Sequence, residues 1–344
     1  MQELIAHANF AKGFRGGERQ TQLLIQELSA LGYKQRLLVR KGSELTARCK
    51  DIDNLNIIEI SKPYVFHLYA LKGSKLLHAH ETKGLQFAFA AKVLLNIPFV
   101  VTRRVDNKLK TNWLNTRMYK AAYRSVALSK AIETEILRVS PDAKTAIIPS
   151  AYSDISIDPK QANLIKQRYS DKFLVGNVGA LDDAHKGQSF LIEAAKELYK
   201  THPDIHFIFL GNGIDEHIFK EQAEGLGNIT FEGFVNNVND YIACFDLFVF
   251  PSRHEGLGSI LFDVMQLNVP IIATNVGGIP DIIFNNENGL LIPPCDTQAI
   301  KKAILELYGN KNKRKLLTKN ALTDIQKFAP SQMGKHYIKI YKEV

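Results

Sequence analysis

Glu255 and Asp263 are two carboxylates with seven residues between them, in the stretch PSRHEGLGSILFDVMQLNVPIIATNVGG from Pro251 to Gly278. The first falls in a loop broken by Gly256 and Gly258, the second in an apolar run with helical spacing. A loop with so little side-chain bulk lets backbone amides at a helix start approach a phosphate closely. Glu255 can then reach a ligand from the loop, and Asp263, more than a turn into the helix, can reach another part of it. Phosphate at the middle with hydroxyls at both ends is the layout of a nucleotide sugar. Taken singly, the same two residues read as a helix cap and an exposed helix acid.

The run before this loop, DLFVF, reads as a buried strand, so the loop lies at a strand's carboxyl end, where doubly wound sheets bind their ligands. Short apolar runs of this kind recur along the chain: ELIAHA, KQRLLVR, LNIIEI, SKLLHAH, PFVVT, SVALS and TAIIP, then FLVGNVG, IHFIFLG, ITFEG, LFVFPS, PIIAT and NGLLI. Between them lie amphipathic segments such as ERQTQLLIQELSALG, which Gly32 stops, and QSFLIEAAKELYKTHP. Strands alternating with helices predict an α/β protein of parallel sheets. At 344 residues the chain exceeds one ordinary core, so two such domains in series are expected. The polar stretch SAYSDISIDPKQANLIKQRYSDK, 150–172, has no strand pattern and reads as the linker. The expected division is one domain over 1–155, a second over 156–326, and a terminal helix, 327–344, packing back on the first.

The net charge of +9 is unevenly placed. Residues 1–150 carry 24 Lys or Arg against 12 Asp or Glu, whereas the remainder is slightly acidic. The excess is densest from Arg103 to Arg124, where seven basic residues face the single acid Asp106 and Trp113, Tyr119 and Tyr123 are interleaved. Such a surface attracts phosphates, on lipid headgroups, an anionic acceptor or nucleic acid; a merely solvated basic helix face is the alternative. The three cysteines are widely spaced and fit neither a disulfide framework nor a zinc site. No apolar run approaches the roughly 20 residues that span a bilayer, and the first residues lack a signal-peptide core, so a cytoplasmic protein is expected, peripheral on the inner face of the membrane.

The stretch SRHEGLGSILFDVMQLNVPIIATNVGGIPDII resembles the paired-acid region of glycosyltransferase family 4, retaining enzymes of the GT-B fold with two Rossmann-like domains facing a cleft. The resemblance continues in family order through FRGGERQTQLLIQELSALGY, LLHAHE, SVALSKA, VGNVGALDDAHKGQSFLIEAA, IFLGNGID and ITFEGFVNNVNDYIACFD to the tail FAPSQMGKHYIKIYKEV. It implies that Glu255 contacts hydroxyls of the donor sugar and that Asp263 takes the second acid's place on the ribose. It further implies that the amides of Gly256, Leu257 and Gly258 hold the diphosphate or sugar, and that Lys186, in a segment with Gly179, neutralises the phosphates. The base would lie on the backbone near Phe234, and Gly16 and Gly17 would let the first domain's backbone close over the diphosphate. Charge stabilisation of a departing nucleoside diphosphate is the largest contribution such an enzyme needs.

The sequence departs from that pattern in three places. The second acid is Asp263 where Glu is usual, one methylene shorter. Ala180 stands where an arginine commonly joins the lysine. Near FVVTRRVD, where many members carry a histidine, this chain offers Arg104, with Asp106 two residues on; Arg103 or Arg104 could supply the missing charge across the cleft. The TRRVD form is also similar to members near the lipopolysaccharide-core and related surface-glycan transferases. Retention is implied by the resemblance; with no carboxylate identified as a nucleophile, front-face departure and attack is favoured over double displacement. The expected function is therefore transfer of a sugar, UDP-linked in the commonest case, to a glycan or glycolipid acceptor, without a cofactor or essential metal. The Asp51–Asp53 pair sits in a polar loop, GNG at 211–213 lacks a third glycine and so does not indicate NAD, and His78 and His80 without further ligands read as structural or substrate-facing. Two competing functions remain: a nucleotide-sugar epimerase of similar architecture, and a non-catalytic protein binding anionic lipid or nucleic acid. Nucleic acid is not expected as a partner of the transferase.

Overall fold

A computed structural model describes residues 3–344. The described residues divide into two compact units, one running to Ala151 and resuming from Phe328 to Val344, the other spanning Tyr152–Lys327.

Unit 1 is built on seven strands: β1 Leu4–Asn9, β2 Gln35–Arg40, β3 Leu55–Ile60, β4 Ser74–Ala79, β5 Phe99–Arg103, β6 Arg124–Ala127 and β7 Thr145–Ile147. Their order is β3-β2-β1-β4-β5-β6-β7, with every pairing parallel. Unit 2 has six: β8 Phe173–Val178, β9 Ile205–Leu210, β10 Ile229–Gly233, β11 Leu247–Phe250, β12 Ile271–Thr274 and β13 Leu290–Ile292, also all parallel, in the order β10-β9-β8-β11-β12-β13. Each expected strand forms, because continuous apolar runs such as IHFIFL are buried from both faces of a parallel sheet. Each sheet reverses its winding once, between β1 and β4 and between β8 and β11. Those switch points are where helices leave opposite faces and a crevice opens.

The helix Gly16–Ala30 buries Leu24, Ile25 and Leu28 on one face and ends before Gly32, whose φ of +81° only glycine adopts readily. The helix Pro330–Lys342 lies beside it, placing Met333, Tyr337, Ile340 and Tyr341 in one cluster with Ile5, Leu24, Leu28, Leu76, Val100 and Val126. Each fully buried side chain of this size is worth about 1.5–3 kcal/mol, so residues from the far end of the chain complete unit 1's core. Unit 2 buries Phe207, Phe209, Val249 and Ile272 beneath Leu191, Leu198, Ile304 and Leu307.

One expectation changes, and one alternative reading narrows. The stretch 150–172 is more than a linker: Pro159–Arg168 is a helix, with Pro159 in its first turn and Asp158 accepting from the amide of Lys160. It was hidden because only Ile165 is buried, which leaves too thin an apolar stripe to read. The basic stretch 103–124 is likewise no uniform solvated face. Arg103 is 8% exposed, donates to the carbonyl of Asn107 and sits against Tyr119, while Lys120 pairs with Asp142 at 2.7 Å and Arg124 with Glu343 at 3.1 Å. Acids distant in sequence supply the partners that the local pattern lacked.

Candidate functional site

In unit 2 the loops after β8 and β11 meet. Lys186 Nζ lies 2.6 Å from Glu255 Oε2, with the two side chains 24% and 16% exposed, and the ammonium stands 5.2 Å from the Phe250 ring centroid. The two loops are joined along their backbones, since the amides of Arg253 and His254 both donate to the carbonyl of His185. Arg253 closes the same seam through an ion pair with Asp183, whose own amide is held by Asp215 at 2.7 Å. The Asp183–Arg253 bridge was not singled out by sequence, because nothing in either motif says that its acid and base are partners.

Glycines set how closely these loops approach. Gly187 (φ +63°) passes so near the carbonyl of Pro251 that a Cβ would lie 2.3 Å from its oxygen, and at Gly277 (φ +55°) it would lie 1.8 Å from the carbonyl oxygen of Glu255. The amide of Gly278 donates to that same oxygen at 3.0 Å, so the NVGG turn fixes the backbone of Glu255. Gly256, Leu257 and Gly258 are buried immediately after it, and Asp263 lies half-buried on the short helix Ile260–Gln266. At 211–213 the glycines do a packing job: a Cβ on Gly211 would come within 2.0 Å of the carbonyl oxygen of Gly179, and one on Gly213 within 2.2 Å of that of Leu181. Beside them a cavity of about 340 Å³ is lined by Gly179, Ala180, Gly211, Asn212 and Phe234, the last 72% exposed. A mostly apolar lining with one exposed aromatic ring suits a flat heterocycle.

Unit 1 gathers a different set. His7 of β1 is in register with His78 of β4, so both lie at the switch point, and His80 follows just beyond the strand. All three are buried, the rings of His78 and His80 lie 3.9 Å apart, and their ligand atoms fall within 4.8 Å of one another. Burial drives His7 down to about 4; His78 and His80 are also held well below the ordinary histidine range by burial, then by the neighbouring imidazoles and Arg104. The cluster is neutral at physiological pH. His78 is fully engaged, with Tyr341 at 2.6 Å and Thr102 at 2.7 Å, and Thr102 meets Tyr337 at 2.8 Å. Both tyrosines come from the returning helix.

Arg104 is the exception to this satisfaction. Its three guanidinium nitrogens are out of contact with water and none makes a hydrogen bond of good geometry, although Glu18 and the hydroxyls of Tyr337 and Tyr341 support its charge. Gly17 faces its stem, a Cβ there lying 3.5 Å from Arg104 Cδ, whereas Gly16 opens on empty space. Asp106 is half-buried on the loop that follows. Thus Glu255, Lys186, Gly256, Leu257, Gly258 and Asp263 form one group in unit 2, with Gly179 and Phe234 on the adjoining cavity, while Gly16, Gly17, Arg104 and Asp106 belong to unit 1. His7 had passed as one polar residue in an apolar strand; a histidine at the centre of ELIAHA was the signal available.

Among the described residues no helix is long and apolar enough to cross a membrane. The profile of the family described as glycosyl transferases group 1 matches residues 172–310. An alpha-D-kanosaminyltransferase of Streptomyces kanamyceticus is 29% identical over 201 residues, covering 56% of this chain and 52% of the relative. The chain spans about half the length of the curated relatives it matches. Among solved structures, Anabaena HepE in complex with UDP and glucose superposes with a TM-score of 0.84 at 17% identity, covering 100% of both chains. The lipopolysaccharide outer core galactosyltransferase WaaB, in its apo form, gives a TM-score of 0.79 at 14% identity, again over 100% of both chains. These two likenesses establish the fold, the GT-B type. Residues 172–310, most of unit 2, are thus similar to the group 1 glycosyltransferases, and the whole chain shares the GT-B fold.

Proposed function

We propose that the protein is a retaining glycosyltransferase that moves a sugar from a nucleotide-diphosphate sugar, UDP being the nucleotide, to a glycan or glycolipid acceptor in surface polysaccharide synthesis. The observation that carries this reading is the Lys186–Glu255 pair set against the buried Gly256–Gly258 backbone at the carboxyl end of β11. In that role Lys186 turns from Glu255 to the diphosphate, the glycine amides take the remaining phosphate charge, and Glu255 is released to the sugar hydroxyls. Asp263 holds the ribose, and the base lies against Phe234 in the adjoining cavity. HepE, captured with UDP, supports the choice of nucleotide, and WaaB supports a surface-glycan acceptor.

The bond from the sugar's anomeric carbon to the leaving phosphate breaks, the acceptor oxygen bonds to that carbon on the same face, and its proton passes to the leaving phosphate. Lys186 and the amides supply the counter-charge, so the reaction needs no metal. The protein works at the inner face of a membrane, where Lys108, Lys110 and Arg117 meet anionic headgroups and Trp113, 66% exposed and 4.8 Å beneath Arg117, enters the interface. Nucleic acid is not a partner.

Thermal denaturation against UDP, GDP, ADP and CMP, with Lys186→Ala alongside, tests the donor. A ligand at about 100 times its dissociation constant raises stability by about 2.7 kcal/mol. A UDP response that Lys186→Ala weakens is expected; no response to any nucleotide refutes the assignment. Product anomer analysis, activity in chelator and flotation with anionic liposomes check retention, metal independence and membrane binding in turn.

A further inference from the structure

The hydrogen bonds around the unit 1 histidines fix which nitrogen carries each proton. Gln35 Nε2 donates to the carbonyl of Ile25 at 2.9 Å, which turns Gln35 Oε1 toward His7 Nε2, 3.2 Å away. An amide oxygen only accepts, so His7 Nε2 bears hydrogen, and in a neutral ring His7 Nδ1 is then a lone pair. That nitrogen lies 3.0 Å from His80 Nε2, which must therefore be the donor. The relay ends at His80 Nδ1, an unprotonated acceptor that has no partner in a residue 3% exposed. A buried acceptor without a donor is costly and calls for a ligand.

His80 lines a cavity of about 170 Å³ at the carboxyl ends of β4 and β5, together with Thr82, Thr102, Arg103, Arg104 and Tyr119. Glu81 also borders it, but both its oxygens are taken by the amides of Phe10, Lys83 and Gly84. The cavity thus offers one lone pair and, in Arg104, a cation that lies beside Tyr337 but makes no hydrogen bond of good geometry. We propose that this cavity is the acceptor subsite and takes a sugar bearing an anionic group, one hydroxyl donating to His80 Nδ1 and the anion lying on Arg104. Gln35 and His7 are positioning residues that hold His80 in the accepting tautomer. The inference rests on the transferase reading for the word acceptor, while the chemistry of the cavity stands apart from it. Phosphate and carboxylate are the two forms the anion can take.

Calorimetric titration of the nucleotide-free, full-length protein with glucose 6-phosphate, glucuronic acid, glucose and inorganic phosphate tests this. One of the two anionic sugars is expected to bind about tenfold more tightly than inorganic phosphate or glucose, and which one identifies the anion. His80→Phe is expected to remove that tenfold advantage while leaving inorganic phosphate unchanged, and Arg104→Gln to weaken anionic sugar and phosphate alike by about ten- to a hundredfold. Because His80→Phe can disturb folding, the wild-type imidazole is also read by 15N NMR, where His80 is expected protonated at Nε2 and bare at Nδ1, and Gln35→Leu is expected to release that preference. A His80 ring protonated at Nδ1, no anionic sugar binding above glucose, or stoichiometric zinc uptake that excludes the sugar would each overturn the proposal. A retained UDP response beside lost sugar binding separates its failure from that of the transferase reading.

Discussion

The two units repeat one strand order, yet they treat charge at their switch points in opposite ways. Unit 2 places Lys186 and Glu255 in contact with each other and within reach of water, so its charges are neutralised before any ligand arrives. Unit 1 buries three histidines as neutral rings and leaves Arg104 without a hydrogen bond of good geometry. A paired site must exchange its internal contact for a ligand, whereas an unmatched site is completed by one. The same scaffold supports both, because the sheet fixes only where the loops emerge and the loops decide what is satisfied.

The largest effect is expected where the pair is broken. Lys186→Ala and Glu255→Ala should each lower kcat about 10²–10³-fold, the scale of losing one preorganised charge partner, with little change in melting because both side chains reach water; transfer near wild-type rates in either variant would end the case for this site. Acid should distinguish the units next. Unfolded His7 takes up its proton near 6.5, but the folded site resists until about 4, so protons favour unfolding across that interval. Stability is therefore full above pH 6.5 and falls toward pH 4, by about 3 kcal/mol from His7 alone, with His78 and His80 adding in the same direction. Urea denaturation of the full chain at a series of pH values, monitored through unit 1, shows whether the histidines are neutral as described.

Smaller effects refine the contrast. Gly277→Ala places a methyl group on the carbonyl of Glu255 at a positive φ and should destabilise by about 2 kcal/mol while distorting the UDP response. Tyr341→Phe removes the hydroxyl on His78 at a cost of about 1 kcal/mol, read by chemical denaturation, and should spare nucleotide binding altogether. Lys120→Ala breaks only an exposed pair and should leave the melting midpoint where it is.

Much of this was legible because parallel sheets write themselves plainly: all the apolar runs read as strands became strands. Glu255 with Gly256 and Gly258 stood out by local spacing, whereas Lys186 was singled out only through the family resemblance; the structure places its ammonium on Glu255. The relay through Gln35, His7 and His80 could not, because its members lie on different strands and acquire meaning only from register. Arg103 and Arg104 read as part of a phosphate-attracting basic surface, and their burial was hidden for the same reason. Nothing local to TRRVD reveals that Asn107 folds back on one arginine or that two tyrosines from the far end of the chain lie beside the other.

The return of Phe328–Val344 to unit 1 also sets an order of events during synthesis. A ribosome must make all of unit 2 before it makes Tyr337 and Tyr341, which sit in the middle of unit 1's apolar cluster and hold His78 and Thr102. The first sheet to emerge therefore waits, incomplete and with greasy surface uncovered, while the second folds. Nascent chains halted before Phe328 should be the form that trigger factor-like holdases grip and proteases cut, and release should come only with the final helix.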